Sequence, residues 1–265
     1  MQANRTKTVA AAVIGSILLA AGVLFQNKDK SFTHVDYMPQ SAVHVVIASG
    51  HGSIIKGVYQ TPGKQSPTWS DSLKIYEGFS CKILALDLCQ KLMIAGIDVT
   101  YINNYNSDLT LSERCNKVNS MCNLDNRILF IEIHHNAQIA TAGDYTDFEG
   151  LKGFTSTSSG GASGIEVYTS PGTTESDNFA DNYLMPNLKG YLLDVKFRNN
   201  GKCKEAGFYV LTNTVCTSVL IEFNFMTTYP DCKQIEDPTV RNNFTQAIVN
   251  SIINYNTSIY KNDEK

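Results

Sequence analysis

The chain has 265 residues, enough for one large domain or two small ones, and its 43% hydrophobic and 18% charged residues are an ordinary globular balance. A formal net charge of −3, with no basic run along any predicted helix, gives no electrostatic case for a nucleic-acid partner. Seven cysteines occur without a single Cys-x-x-Cys pair, which argues against a cysteine-built zinc site and leaves most of them as small buried side chains.

The N-terminus stands apart from the rest. Arg5 and Lys7 (residues 1–7 forming a basic lead) precede an uncharged run, Thr8 to Phe25, followed by the polar Gln26-Asn27-Lys28-Asp29-Lys30. Such a run just spans a bilayer, and basic residues on its N-terminal side favour a cytoplasmic N-terminus. Residues 8–25 are therefore expected to form a single-pass anchor in the cytoplasmic membrane, with the remainder of the chain outside. The alternative is a signal peptide cut near the small residues Ala20-Ala21-Gly22, giving a secreted protein. Residues 26–41 read as a linker, 42–258 as one domain and 259–265 as a polar tail.

Within 42–258, strand and helix patterns alternate. Val43–Ala48 is an apolar strand. Residues 76–95 predict a helix, with Cys81, Leu84, Ala85, Leu88 and Leu92 at helical spacing and Gly96 as its stop. Ile97–Ile102 is the next strand. Thr110-Leu111-Ser112-Glu113 has the form of a capping box opening a helix to about Met121. Ile128–His134 is a strand, and Ala137–Gly164 is a long Gly/Ser/Thr-rich segment without period, a candidate to line or cover a cleft. A strand (Ile165–Thr169), a helix (Thr174–Met185, limited by Pro186), the segment Gly207–Leu211 and a strong strand (Val219–Phe225) follow. Asp237-Pro238 caps and opens a last helix to about Tyr255. The pattern predicts a single α/β domain, a largely parallel twisted sheet of about six strands with helices on both faces, preceded by the membrane segment.

Four polar residues sit where an apolar element would end or be buried. His51 lies between Gly50 and Gly52 at the end of the first strand; alone, it is equally well a histidine in a tight turn. Glu77 opens the first long helix, where a carboxylate also suits the helix dipole. His134 ends a strand made for burial, at the strand end where open α/β sheets bind ligands. Glu222 is set inside Val219-Leu220-Ile221-Glu222-Phe223, a buried carboxylate with no Arg or Lys near it in sequence. Two histidines and a carboxylate can hold zinc with one position open, and a second carboxylate can serve as base, which points to a metal-dependent hydrolase.

From about Val43 to Tyr255 the chain resembles the catalytic domain of zinc-dependent N-acetylmuramoyl-L-alanine amidases. The resemblance rests on Gly50-His51-Gly52, Glu77, Leu111-Ser112-Glu113-Arg114 through Asn119, and Ile133-His134-His135-Asn136-Ala137. It rests also on Gly164-Ile165-Glu166-Val167-Tyr168, Phe208-Tyr209-Val210-Leu211 and Val219-Leu220-Ile221-Glu222-Phe223. It implies Zn²⁺ held by His51, Glu77 and His134, with Glu222 as the catalytic carboxylate. His134 is preferred to His135 because the family's ligand is followed by one variable residue and then Asn, here Asn136, itself a candidate to orient substrate or a ligand. Glu132 departs from the family pattern, which has a small residue there. The implied substrate is peptidoglycan, cut between N-acetylmuramic acid and L-alanine for phage lysis or wall remodelling, and a monomer is expected. A zinc peptidase or carboxypeptidase acting on wall peptides, and a non-catalytic wall-binding module, are the rival readings.

Overall fold

The computed structural model describes residues 41–103, 107–125, 127–138 and 143–263. The expected membrane segment 8–25 and nearly all of the linker lie outside the described residues, among which no helix is long and apolar enough to cross a membrane.

A six-stranded sheet forms the centre: β1 (His44–Ser49), β2 (Asp98–Tyr101), β3 (Ile128–Asn136), β4 (Glu166–Thr169), β5 (Lys204–Glu205) and β6 (Thr217–Phe225), in the order β2-β1-β3-β6-β4-β5. The neighbours β2, β1, β3 and β6 run parallel. The short β4 is antiparallel to β6 and carries β5 parallel to itself at the edge. β1, β3 and β6 are buried on both faces, so they read in the sequence as nearly continuous apolar runs.

Odd-numbered side chains of the parallel strands (Val45, Ile47, Leu129, Ile131, Val219, Ile221) join one core cluster, and even-numbered ones (Val46, Ala48, Ile128, Phe130, Leu220) a second on the opposite face. The first cluster is covered by α1 (Glu77–Ile94), α3 (Glu175–Phe179), α4 (Met185–Tyr191), α6 (Tyr229–Glu236) and α7 (Pro238–Asp263), the second by α2 (Leu111–Cys122) and the single turn α5 (Tyr209–Thr212). Helices thus flank the sheet on both sides. From β1 the chain crosses through α1 to β2 on one side, then through α2 to β3 on the other, so the strand order reverses between β1 and β3. A crevice opens at such a reversal, outside the carboxyl ends of the strands. His51 and His134 stand at those two ends.

The end signals of the helices operate as their chemistry requires. The Thr110 side chain accepts from Glu113 N at 3.2 Å while the Glu113 carboxylate accepts from Thr110 N at 2.8 Å. Asp237 Oδ1 accepts from Thr239 N and Val240 N at 2.7 and 3.1 Å, opening α7, which runs on to Asp263 rather than ending near Tyr255. Pro186 does not end its helix. Residues Ala180–Leu184 widen into a π-helical turn that carries α3 into α4, with Pro186 in the first turn of α4, where its missing N–H costs nothing.

The described part of the 137–164 segment forms a small hairpin, Tyr145–Thr146 with Lys152–Gly153, seated against Trp69 (ring centroids 4.9 Å from Tyr145) and bonded to the chain beyond β6 through Phe154 N to Thr227 O at 2.9 Å. All seven cysteines are free, and Cys81, Cys89, Cys115 and Cys232 are buried.

Because the capping box fixes the start of α2, Thr110→Ala should lower the unfolding free energy by about 1 kcal/mol. A urea melt monitored by circular dichroism checks this, and the midpoint should fall at constant slope.

Candidate metal centre

The first ligand candidate comes from the end of β1. Ser49 is clamped by the Asn103 amide, which accepts from Ser49 N and donates to Ser49 O, both at 3.0 Å. Gly50 N then bonds Ile133 O at 2.8 Å, and the chain turns at His51 in the left-handed region, φ 62°. Glycine is required at position 50 because a Cβ there would lie 2.3 Å from His134 Nδ1. Gly78, in the first turn of α1, lets that helix come so near that a Cβ would lie 2.0 Å from Gly52 O. This close approach sets Glu77 beside His51.

Glu77 is buried, and its carboxylate bridges the two imidazoles. Oε2 lies 3.3 Å from His51 Nε2, and Oε1 lies 3.0 Å from His134 Nδ1. Oε1 also accepts from His135 N at 3.3 Å. The two rings meet edge to face, centroids 5.1 Å apart. One ligand atom from each of His51, Glu77 and His134 lies within 4.8 Å of the other two. Two imidazole nitrogens and a carboxylate oxygen so placed fit a divalent cation of the zinc type.

Glu222 faces His134 across the β3–β6 pairing, its register partner. It is the odd member of the group, because its Oε2 is buried with no hydrogen-bond partner. Burial pushes its pKa up to about 7; the nearby His134 opposes the shift, while Glu77, Glu166 and Glu132 reinforce it. The Glu77 carboxyl behaves oppositely: burial alone would raise it, but hydrogen bonds from His134 and His51 hold it far below the usual carboxylate range. For His134, burial is likewise overcome, and Glu132 and Glu77 raise its pKa to about 10. These values describe the side chains without a cation among them.

All four residues line one cavity of about 450 Å³, together with Lys64, Glu132, Asn136, Phe208 and Tyr209. Ala137 lines it too, whereas none of the described residues from Gly143 to Gly164 does. Asn136 reaches the cavity wall, but its amide already donates to Glu166 Oε2 at 2.6 Å and accepts from Ala137 N at 2.8 Å. Glu166 in turn binds Arg198 Nε at 2.6 Å, Tyr168 OH at 2.8 Å and the Lys204 ammonium. His135 is turned into the core, bonding Phe223 O at 2.7 Å and Ser80 Oγ at 2.9 Å, and burial lowers its pKa to about 4. Sequence reasoning gave no role to Arg114, which pairs with Glu132 beneath the cluster. The signal available was a glutamate inside an apolar strand, which needs a buried cation.

A family model described as N-acetylmuramoyl-L-alanine amidase matches residues 45–254. Among solved structures, the chain is similar to the N-acetylmuramoyl-L-alanine amidase from Clostridium difficile 630, at 21% identity and a TM-score of 0.59, covering 81% of this chain and 97% of that one. It is similar also to the amidase AmiC2 of Nostoc punctiforme (19%, TM-score 0.57, 82% and 98%). A third is the catalytic domain of the CD27L endolysin targeting Clostridia difficile (19%, TM-score 0.52, 80% and 97%). At these identities the likeness is one of fold. No curated protein sequence matches the chain.

The raised pKa of Glu222 has a thermodynamic sign. Its folded value of about 7 lies above the unfolded value of about 4.3, so its contribution to stability is complete below about pH 4 and lost as pH rises through 7. In chelator-treated protein, Glu222→Gln should therefore raise stability at pH 8, by on the order of 3 kcal/mol, and change it little at pH 4. Thermal melts at the two pH values read the difference, and an equal effect at both would refute the assignment.

Proposed function

The chain belongs to the N-acetylmuramoyl-L-alanine amidase family and is a peptidoglycan amidase, cutting the amide between N-acetylmuramic acid and L-alanine; we propose that it does so as a zinc enzyme, with His51, Glu77 and His134 as metal ligands and Glu222 as the proton-transfer group. The observation that carries the metal assignment is the convergence of the three donor atoms on one wall of a cavity. When bound, zinc supplies an electrophile for the carbonyl and brings the pKa of a coordinated water to about 7.

The chain's own groups supply the rest. The unpartnered Glu222 Oε2 is the acceptor suited to take a proton from water as the lactyl amide is attacked. The same oxygen then delivers that proton to the departing L-alanine nitrogen, which becomes a good leaving group only when protonated. A carboxyl near neutral pKa is fitted to both halves of that transfer. Phe208 and Tyr209 offer an apolar wall to the substrate, and Asn136, fixed by Glu166, has one amide N–H beyond the bond it already makes. The reaction separates the stem peptide from the glycan strand.

Residues 8–25 are assigned as a membrane anchor that holds the catalytic domain on the wall side of the cytoplasmic membrane. The uncharged run behind Arg5 and Lys7 supports this, and the placement suits lysis by a phage or prophage or remodelling of the host wall. Tethering near the wall raises the local substrate concentration without any new contact.

Digestion of purified sacculi tests the reading. The expected product is new free L-alanine amino groups with no new peptide cleavage, and zinc should be recovered stoichiometrically from the active protein. Glu222→Gln should retain zinc and lose roughly 100- to 10,000-fold in rate, whereas His51→Ala should lose the metal itself. Full activity in Glu222→Gln, with zinc bound, would sink the role given to that carboxylate.

A further inference from the structure

A second set of contacts lies beneath the metal cluster. Glu132 stands two residues before His134 on the same face of β3 and is completely buried. Its Oε1 lies 3.3 Å from His134 Nε2 and also accepts from Arg114 Nη1. Arg114, from the first turns of α2, is 2% exposed and has three further bonds: Nη1 to Ser49 O at 2.8 Å, Nε to Leu109 O at 3.1 Å and Nη2 to Asp108 Oδ1 at 3.3 Å. The guanidinium is therefore fixed by the end of β1 and by the loop before α2 as well as by Glu132.

A neutral imidazole carries one N–H and one lone pair, and a metal can take only the nitrogen with the lone pair. Which nitrogen that is depends on the partner of the other. At His134 the two are unlike: Nδ1 faces Glu77 and the metal cluster, Nε2 faces Glu132. Both partners are carboxylates, which only accept; a cation held by Glu77 would take the place of the proton on Nδ1, leaving Nε2 as the nitrogen that donates, to Glu132. The pairing is not simply a tie between β3 and α2. A bidentate arginine–carboxylate pair would occupy both oxygens, but here Oε1 is shared by guanidinium and imidazole while Oε2 has no hydrogen-bond partner.

Building on the zinc reading above, we propose that Glu132, held by Arg114, is a positioning residue that fixes His134 with its Nε2–H donated to Glu132 and its Nδ1 lone pair presented to the metal. Carboxylate partners of this kind orient the ring, raise its basicity, and change metal affinity by roughly 10- to 100-fold when removed.

The test uses the full chain in detergent micelles. Zinc dissociation constants come from competition with a fluorescent chelator, for wild type, Glu132→Gln and Glu132→Leu. Gln keeps a neutral acceptor and Leu keeps none, so zinc should bind about 10-fold more weakly in the first and nearer 100-fold more weakly in the second. Arg114 retains its other three partners in both, so the metal-free circular dichroism spectrum should be unchanged. A second readout needs no variant: long-range ¹⁵N–¹H correlation of histidine-labelled, zinc-loaded wild type should show His134 protonated at Nε2 and metallated at Nδ1. Wild-type affinity in both variants, or zinc on Nε2, overturns the proposal while leaving the zinc amidase intact. If the variants do not fold, the wild-type spectrum decides alone. Wild type that takes up no zinc overturns both this proposal and the reading beneath it.

Discussion

The buried carboxylate of Glu77 is the interaction on which the site depends. An anion at 2% exposure is costly unless its surroundings replace the lost water. Here three sources do so: an imidazole on each oxygen, the His135 N–H, and the N-terminal end of an 18-residue helix whose dipole favours negative charge. These groups come from three places, the turn after β1, the end of β3 and the start of α1. The positions of α1, the β1 turn and the end of β3 are thus coupled through one side chain. Gly50 and Gly78 matter because they allow the approach that this coupling needs.

The topology explains why these groups meet at all. The reversal of strand order between β1 and β3 leaves their carboxyl ends uncovered by the crossover helices, and β6, beside β3, brings Glu222 to the same edge. Residues 51, 77, 134 and 222 are remote along the chain and close only because the parallel strands end at one level.

Much of this was legible because its signals are local. The apolar runs of β1, β3 and β6, the Thr110 capping box and the Asp237-Pro238 start are read from a few neighbouring residues, and polar residues within such runs mark the site. What escaped reading depends on partners distant in sequence or on cooperative geometry. The π-turn at Ala180–Leu184 removes the conflict that Pro186 would create in a continuous helix, and α6 is too short to announce itself by period. Arg114 and Glu132 are 18 residues apart on a helix and a strand, so neither suggests the other until both are seen buried. His135, adjacent to His134, is separated from the site only by the alternation of a strand, which turns successive side chains to opposite faces.

The distribution of cations around the carboxylates gives each a different chemistry. Arg114 pairs with Glu132, Arg198 and Lys204 with Glu166, and the two imidazoles with Glu77. Among the described residues no arginine or lysine pairs with Glu222, which lies in the field of all three of those anions. The three compensated groups are held ionised, so they serve as fixed charges that orient neighbours. Glu222 alone is left close to the balance between its two protonation states. A proton-transfer group needs that balance, and a structural carboxylate does not. Arg114, Arg198 and Lys204 are bound to the other acids, and this division of charge separates the reactive carboxylate from those that support it.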